Sequence, residues 1–250
     1  RSTPLYSSAA SDVYKRQTYY KRMKQINAAG PEVLGSLPSL RGLRPAAFRA
    51  SGGTGEVVVV DTRSMLAFGG GHIAGALNIG GSPELSIWAG WLLDPAKPAF
   101  LVLDRDEDGP EVVSLLLRIG FTNVAGYLLG GMTAWAKAGF ELAAIDQMDV
   151  HELKAHADDL AIVDVRSPGE WKKGCIPGAV NLFLPEVQTK WAELDKQKPV
   201  AVYCNSGSRA SIASRMLKAE GFDVSNVPGS WQAWVGAGFP VEPGTEEVVA

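Results

Sequence analysis

The chain carries only two cysteines, Cys175 and Cys204, in 250 residues. That leaves no disulfide framework to build a fold on. Histidine is equally scarce. His72, His151 and His156 show no metal-ligand spacing, and the last two, five apart, fall off one helical face and read as solvated. No metal site is expected in this chain. Long hydrophobic runs are missing too: stretches such as 57–60 and 87–93 fall far short of a membrane span. The formal charge is −3 with no basic stripe, which argues against a nucleic-acid partner. What remains is a chain long enough for two compact cores, with reactive-thiol chemistry that suits a reducing, cytoplasmic compartment.

The most informative segment is Val200-Ala-Val-Tyr-Cys-Asn-Ser-Gly-Ser-Arg209. An apolar, β-branched run stops at Cys204. Asn205, Ser206, Gly207 and Ser208 follow, then Arg209 and a helical run. A strand therefore delivers a thiol into a short loop that opens a helix. Loop amides and the helix N-terminus make an anion nest, and its positive field together with Arg209 favours the nucleophilic thiolate. A buried, inert cysteine is the plainer alternative, but apolar burial has no need of the polar residues around Cys204.

The sequence also contains its own control. Asp61-Thr-Arg63 recurs as Asp164-Val-Arg166, and Gly71-His-Ile-Ala-Gly-Ala-Leu-Asn78 as Gly174-Cys-Ile-Pro-Gly-Ala-Val-Asn181, both 103 positions on. Gly120-Phe121 recurs as Gly221-Phe222. Ala134-Trp135 and Gly139-Phe140 recur as Ala233-Trp234 and Gly238-Phe239. Landmarks repeated in one order mark a duplicated domain of about 100 residues. The copies diverge at the cysteine loop. Aligned back from Gly120 and Gly221 without a gap, Leu103 takes the place of Cys204; a one-residue shift would put Asp104 there. Asp104, Asp106, Glu107 and Asp108 would repel an anion. The first copy keeps a scaffold and lacks the nucleophile.

Taken together, the D-x-R strand end, the G-[HC]-I-x-G-A-x-N segment, the C-x-x-G-x-R loop and the stretches 130–135 and 229–234 resemble the rhodanese (sulfurtransferase) family. The resemblance implies an α/β fold of two tandem domains, each a mainly parallel sheet flanked by helices: 43–142 degenerate, 146–243 catalytic. It implies that Cys204 accepts sulfur, that Asn205 to Arg209 cradle its persulfide, and that Asp164 braces the loop through Arg209. Asp164, Arg166, Glu170 and Trp171 are the expected supporting residues. The family's two-domain thiosulfate enzymes often carry a basic residue near the position of Glu170. An acidic residue there disfavours the thiosulfate dianion.

The expected reaction is ping-pong transfer of sulfane sulfur, from a persulfide or thiosulfate donor to a thiol, sulfite or cyanide acceptor. No cofactor is required in this chain. The six-residue C-x4-R loop is one residue shorter than the C-x5-R loop of related dual-specificity phosphatases. It fits a single sulfur better than a phosphoryl group and holds no acid for a leaving group. A free-standing thiosulfate sulfurtransferase and a non-catalytic persulfide carrier or docking module are the alternative readings. Cys175, which stands where the first copy has His72, reads as a small buried residue or as a resolving thiol for Cys204.

Strands are expected at 57–60, 100–103, 160–163 and 200–203, and helices at 111–119, 149–158 and 209–220. Residues 143–147 read as a linker and 244–250 as a frayed tail. Residues 1–17 are expected to be an artefact: Asp12-Val-Tyr-Lys-Arg-Gln17 is what a library-preparation transposase adapter would encode, and the chain opens without Met. Residues 18–42 read as a helix and a Pro-punctuated connector. They resemble the segment that joins a metallo-β-lactamase-fold persulfide dioxygenase to its rhodanese domains. That resemblance implies a missing upstream domain, with iron as its metal.

Overall fold

The computed structural model describes residues 18–30, 35–52 and 56–244. The expected adapter stretch 1–17, part of the connector and all but the first residue of the expected tail lie outside them. After helix α1 (Thr18–Ala29), the first unit runs β1 (Gly42–Leu43), α2 (Pro45–Gly52), β2 (Val58–Asp61), α3 (Met65–Gly70), β3 (Leu77–Asn78), α4 (Leu85–Leu92), β4 (Ala99–Val102), α5 (Gly109–Leu117), β5 (Val124–Leu128) and α6 (Gly131–Lys137). The second repeats the plan: β6 (Asp146–Gln147), α7 (Val150–Ala155), β7 (Ala161–Asp164), α8 (Pro168–Trp171), β8 (Val180–Asn181), α9 (Val187–Lys190), β9 (Val200–Tyr203), α10 (Ser208–Ala219), β10 (Val224–Asn226) and α11 (Ser230–Gly236).

Each unit is a five-stranded, all-parallel sheet, ordered β1-β5-β4-β2-β3 and β6-β10-β9-β7-β8. Parallel sheets bury both faces, which is why β4 and β9 are buried at every position and all but Tyr203 of their side chains are apolar. One face of each sheet has its own core, around Phe48, Phe68 and Trp135 in the first unit and around Leu153, Ile176 and Trp234 in the second. The other faces share one continuous cluster that crosses the domain boundary and includes Leu85 and Leu116 together with Val187 and Leu217.

The strands β2 and β7 run on to Asp61 and Asp164, one residue past the expected ends. Both carboxylates are fully buried there, which is tolerable because each is paired with an arginine two residues later. The expected linker is not loose. Ala143 bridges His72, Ile145 is buried and its N–H donates to Gly69 O, and β6 joins the second sheet through β10. Among the described residues no helix is long and apolar enough to cross a membrane.

Candidate functional site

The register of the sheets settles which residue of the first copy faces Cys204. Asp61 pairs with Val102 and Asp164 with Tyr203, so the next residues, Leu103 and Cys204, occupy equivalent places. Leu103 is buried in the core, and Asp104 lies one position beyond.

Cys204 leaves the end of β9 and is itself 1% exposed. Its loop hangs on the start of α11. Trp231 N–H donates to Cys204 O at 3.0 Å, Gln232 N–H to Asn205 O at 3.0 Å, and Gly229 N–H to Ser206 O at 3.1 Å. A trans peptide places its N–H opposite its C=O. With three successive carbonyls turned to α11, the N–H groups of Asn205, Ser206 and Gly207 turn away from that helix. Of these, the Gly207 N–H donates to Cys204 Sγ at 3.1 Å. Gly207 has φ +111°, a conformation a residue without Cβ adopts freely, and it opens α10.

Ser230 is a residue of the candidate site that the sequence reading missed. It has φ +47°, the one non-glycine residue with positive φ among those described. Its Oγ accepts the Cys204 N–H at 3.1 Å and its hydroxyl donates to Val227 O at 2.6 Å. The first copy has Gly131 at this place, with φ +57°. A glycine replaced by a strained serine only in the copy with the thiol was the available signal. In the first copy Gly130 N–H is taken by the Asp106 carboxylate, at 3.0 and 3.2 Å, so an acidic side chain occupies a partner that the thiol-bearing copy gives to its loop carbonyl.

Arg209 does not meet Asp164 as expected. Its guanidinium makes two 2.7 Å hydrogen bonds to the Glu170 carboxylate. Glu170 is the third residue of a capping box that starts α8, with Ser167 Oγ donating to it at 2.7 Å. Burial pushes the Glu170 ionisation up, but the hydrogen bonds from Arg209 and Ser167 and the charge of Arg209 outweigh it and hold the carboxyl at about 2. Burial also opposes the Arg209 charge; its bonds to Glu170 and the nearby Cys204 push its ionisation above the ordinary arginine value. The carboxylate expected to repel thiosulfate is thus neutralised by the loop's own arginine. The correction is physical: Arg166 already occupies both oxygens of Asp164, while Glu170 offers Arg209 both of its own.

Asp164 serves the scaffold instead. Arg166 clamps it from Nε and Nη2, the latter at 2.6 Å, and donates onward to Gly174 O at 2.7 Å. Asn181 Nδ2 ties Asp164 O to Arg166 O. Asp61, Arg63, Gly71 and Asn78 repeat this arrangement in the copy without a thiol. The repeated motifs therefore form a common frame, and the copies differ at the cysteine loop. The Arg166 guanidinium also lies 4.4 Å from the Trp231 ring centroid, linking this frame to α11. Trp171 is buried at the end of α8. Cys175 forms an antiparallel bridge with Glu242, and its Sγ lies 3.5 Å from Glu242 O. Burial, with the charges of Asp164 and Glu242, pushes that thiol up, so it stays protonated. No cluster of metal-binding side chains occurs among the described residues.

A cleft of about 480 Å³ lies beside the loop between the two units. Ser208 and Ile212 of α10 line one side, and Met65, Gly81, Trp88 and Glu111 of the first unit line the other.

The family model for the rhodanese-like domain matches residues 45–138 and again 149–237. The chain belongs to the rhodanese-like domain family. A sulfurtransferase from Allochromatium vinosum is 33% identical over 98 residues, covering 39% of this chain and 92% of that protein. A Bacillus subtilis protein named "Putative sulfur carrier protein YrkF" is 35% identical over 91 residues, covering 36% of this chain and 49% of its own length. The solved structure of a rhodanese-related protein from Thermoplasma volcanium is 30% identical, covers 39% of this chain and 97% of that one, and has a TM-score of 0.38. In this rhodanese-like chain both copies keep the same Asp-Arg-Asn frame, and the cysteine loop is present in the second alone.

Proposed function

We propose that the chain is a sulfurtransferase that carries sulfane sulfur on Cys204. The observation that carries this is the Gly207 N–H aimed at Cys204 Sγ at 3.1 Å, within a loop whose neighbouring amides turn the same way. Such a ring of donors stabilises negative charge on sulfur without reorganising. The Cys204 thiolate attacks the outer sulfur of a persulfide or thiosulfate. The donor's S–S bond breaks, and its electron pair leaves with the thiolate or sulfite. The Cys204 persulfide rests among the loop amides. A thiol, sulfite or cyanide acceptor then attacks its outer sulfur, and the Cys204 thiolate is released unchanged.

Arg209 is tied to Glu170, so the loop offers no free cation to a dianion. This supports a persulfide, with glutathione persulfide as the model donor, over thiosulfate. The likeness of the 18–42 segment to the connector of persulfide dioxygenase fusions supports the same donor class.

The test is mass spectrometry of the intact chain after exposure to glutathione persulfide, then turnover with cyanide. Sulfur added on Cys204 and released as thiocyanate in repeated cycles supports the enzyme. Sulfur that loads but passes only stoichiometrically to a partner protein supports the carrier reading, which the resemblance to YrkF favours. A Cys204→Ser chain that still turns over refutes both.

A further inference from the structure

The helix that opens at the sulfur loop is not seated by its own domain alone. α10 carries Ser208, Ser211, Ile212 and Arg215 three to four residues apart on one face. That face meets the first domain. Ser211, 2% exposed, donates through its hydroxyl to Asn78 Oδ1 at 2.8 Å. One turn on, the Arg215 guanidinium donates to Ala76 O and Gly75 O, each at 3.0 Å. At the start of the helix the Met65 thioether packs directly on Gly207, so that a Cβ there would have to displace it.

These contacts end on fixed groups. Asn78 is held from behind, its Nδ2 donating to Asp61 O and Arg63 O at 3.0 Å. Gly207 has no side chain of its own to hold it, and its N–H is the one that touches the sulfur. A continuous set of packed and hydrogen-bonded groups thus runs from the first sheet to the amide that supports the thiol. We propose that the first domain, which has no nucleophile, is a positioning element for the sulfur site of the second, acting through Ser211, Arg215 and Met65. This rests on Cys204 being the sulfur acceptor. The reason is geometric. α10 stays on its own sheet through its contacts with β9 and β10. Its seating against the first domain sets its tilt, and with it the aim of the Gly207 N–H. Displacements well under a turn suffice to lose catalysis that depends on preorganised donors.

The test uses the full chain with Met65→Ala, Ser211→Ala and Arg215→Met, singly and combined, beside the conservative Met65→Leu and Ser211→Thr. Sulfur transfer from glutathione persulfide to cyanide gives kcat and KM, and iodoacetamide gives the Cys204 alkylation rate, all well below the melting temperature. We expect kcat to fall by roughly tenfold or more in the combined variant. KM should hold within about twofold, the alkylation rate should change in step with kcat, and the two conservative variants should restore activity. Lower melting temperatures with wild-type kcat and alkylation would overturn the proposal and leave an interface that only stabilises. So would conservative variants that fail to restore activity in a folded chain. Should Arg215→Met not fold, Met65→Ala against Met65→Leu decides on the same readouts. Failure of the underlying reading is seen separately: the wild-type chain itself would then take no sulfur on Cys204.

Discussion

Replacing Glu170 with Gln removes the negative charge that Arg209 faces beside the thiol while leaving the local helix start intact, because Gln serves a capping box as Glu does. Two 2.7 Å charge-assisted hydrogen bonds are weakened. Breaking a fully buried pair costs about 3–5 kcal/mol, and an exposed one less than about 1 kcal/mol. The Arg209 side chain is 15% exposed and that of Glu170 34%. Solvent screening of the carboxylate and the acceptor retained by Gln place the cost at about 1–2 kcal/mol. For a chain of this size that lowers the melting temperature by roughly 2–8 °C. The freed guanidinium should help a dianionic donor. A unit charge about 4 Å from another gains about 1 kcal/mol even at the dielectric of water, roughly fivefold in affinity, and more in a partly desolvated cleft. The assay is thiocyanate formation from thiosulfate and cyanide. KM for thiosulfate should fall at least about fivefold, while KM for glutathione persulfide moves less. An unchanged or higher KM for thiosulfate would refute the reasoning, because Arg209 would then not be the cation the donor lacks.

Other consequences are open to measurement. Cys204→Ser should remove sulfur transfer and the added sulfur in the mass spectrum, with the melting temperature changed by only a few degrees. Ser230→Gly should relieve the positive φ yet slow transfer severalfold by deleting the acceptor of the Cys204 N–H, whereas Ser230→Thr should destabilise the chain by about 1–3 kcal/mol through β-branching at that conformation; equal activity of Ser230→Gly and wild type would remove Ser230 from the site. Leu103→Cys should add no activity to a Cys204→Ser chain, since Asp106 and its neighbours stand where a loop of free amides would be needed; any thiocyanate formed by that double variant counts against the account of the first copy. Glu170 is held at about 2, below its ordinary 4.5, so its contribution to stability is complete above about pH 4.5 and is lost as the pH falls toward 2. Acid melting curves of wild type should therefore steepen over that window relative to Glu170→Gln.

The sequence alone determined the duplication, the α/β class and the thiol. These are local or periodic properties: apolar β-branched runs that must lie in buried strands, turn and cap residues that stop helices, and motifs recurring at a fixed spacing. It also located the difference between the copies, because a missing cysteine in an otherwise repeated frame is visible without coordinates. Tertiary structure alone decided which charges meet. Arg209 lies 39 residues from Glu170 and 45 from Asp164, and no spacing rule chooses between them; the turn of α8 brings Glu170 forward, while Arg166 has already taken Asp164. The frame role of Asp164, the strained Ser230 beneath the Cys204 amide and the contact of Met65 with Gly207 are likewise long-range facts. So is the seating of α10 on the first domain, through bonds that span more than 130 residues. Each depends on the packing of one domain against another, or of one loop against a distant helix, and a hydrogen bond at that separation is written in the folded geometry, not in the order of the residues.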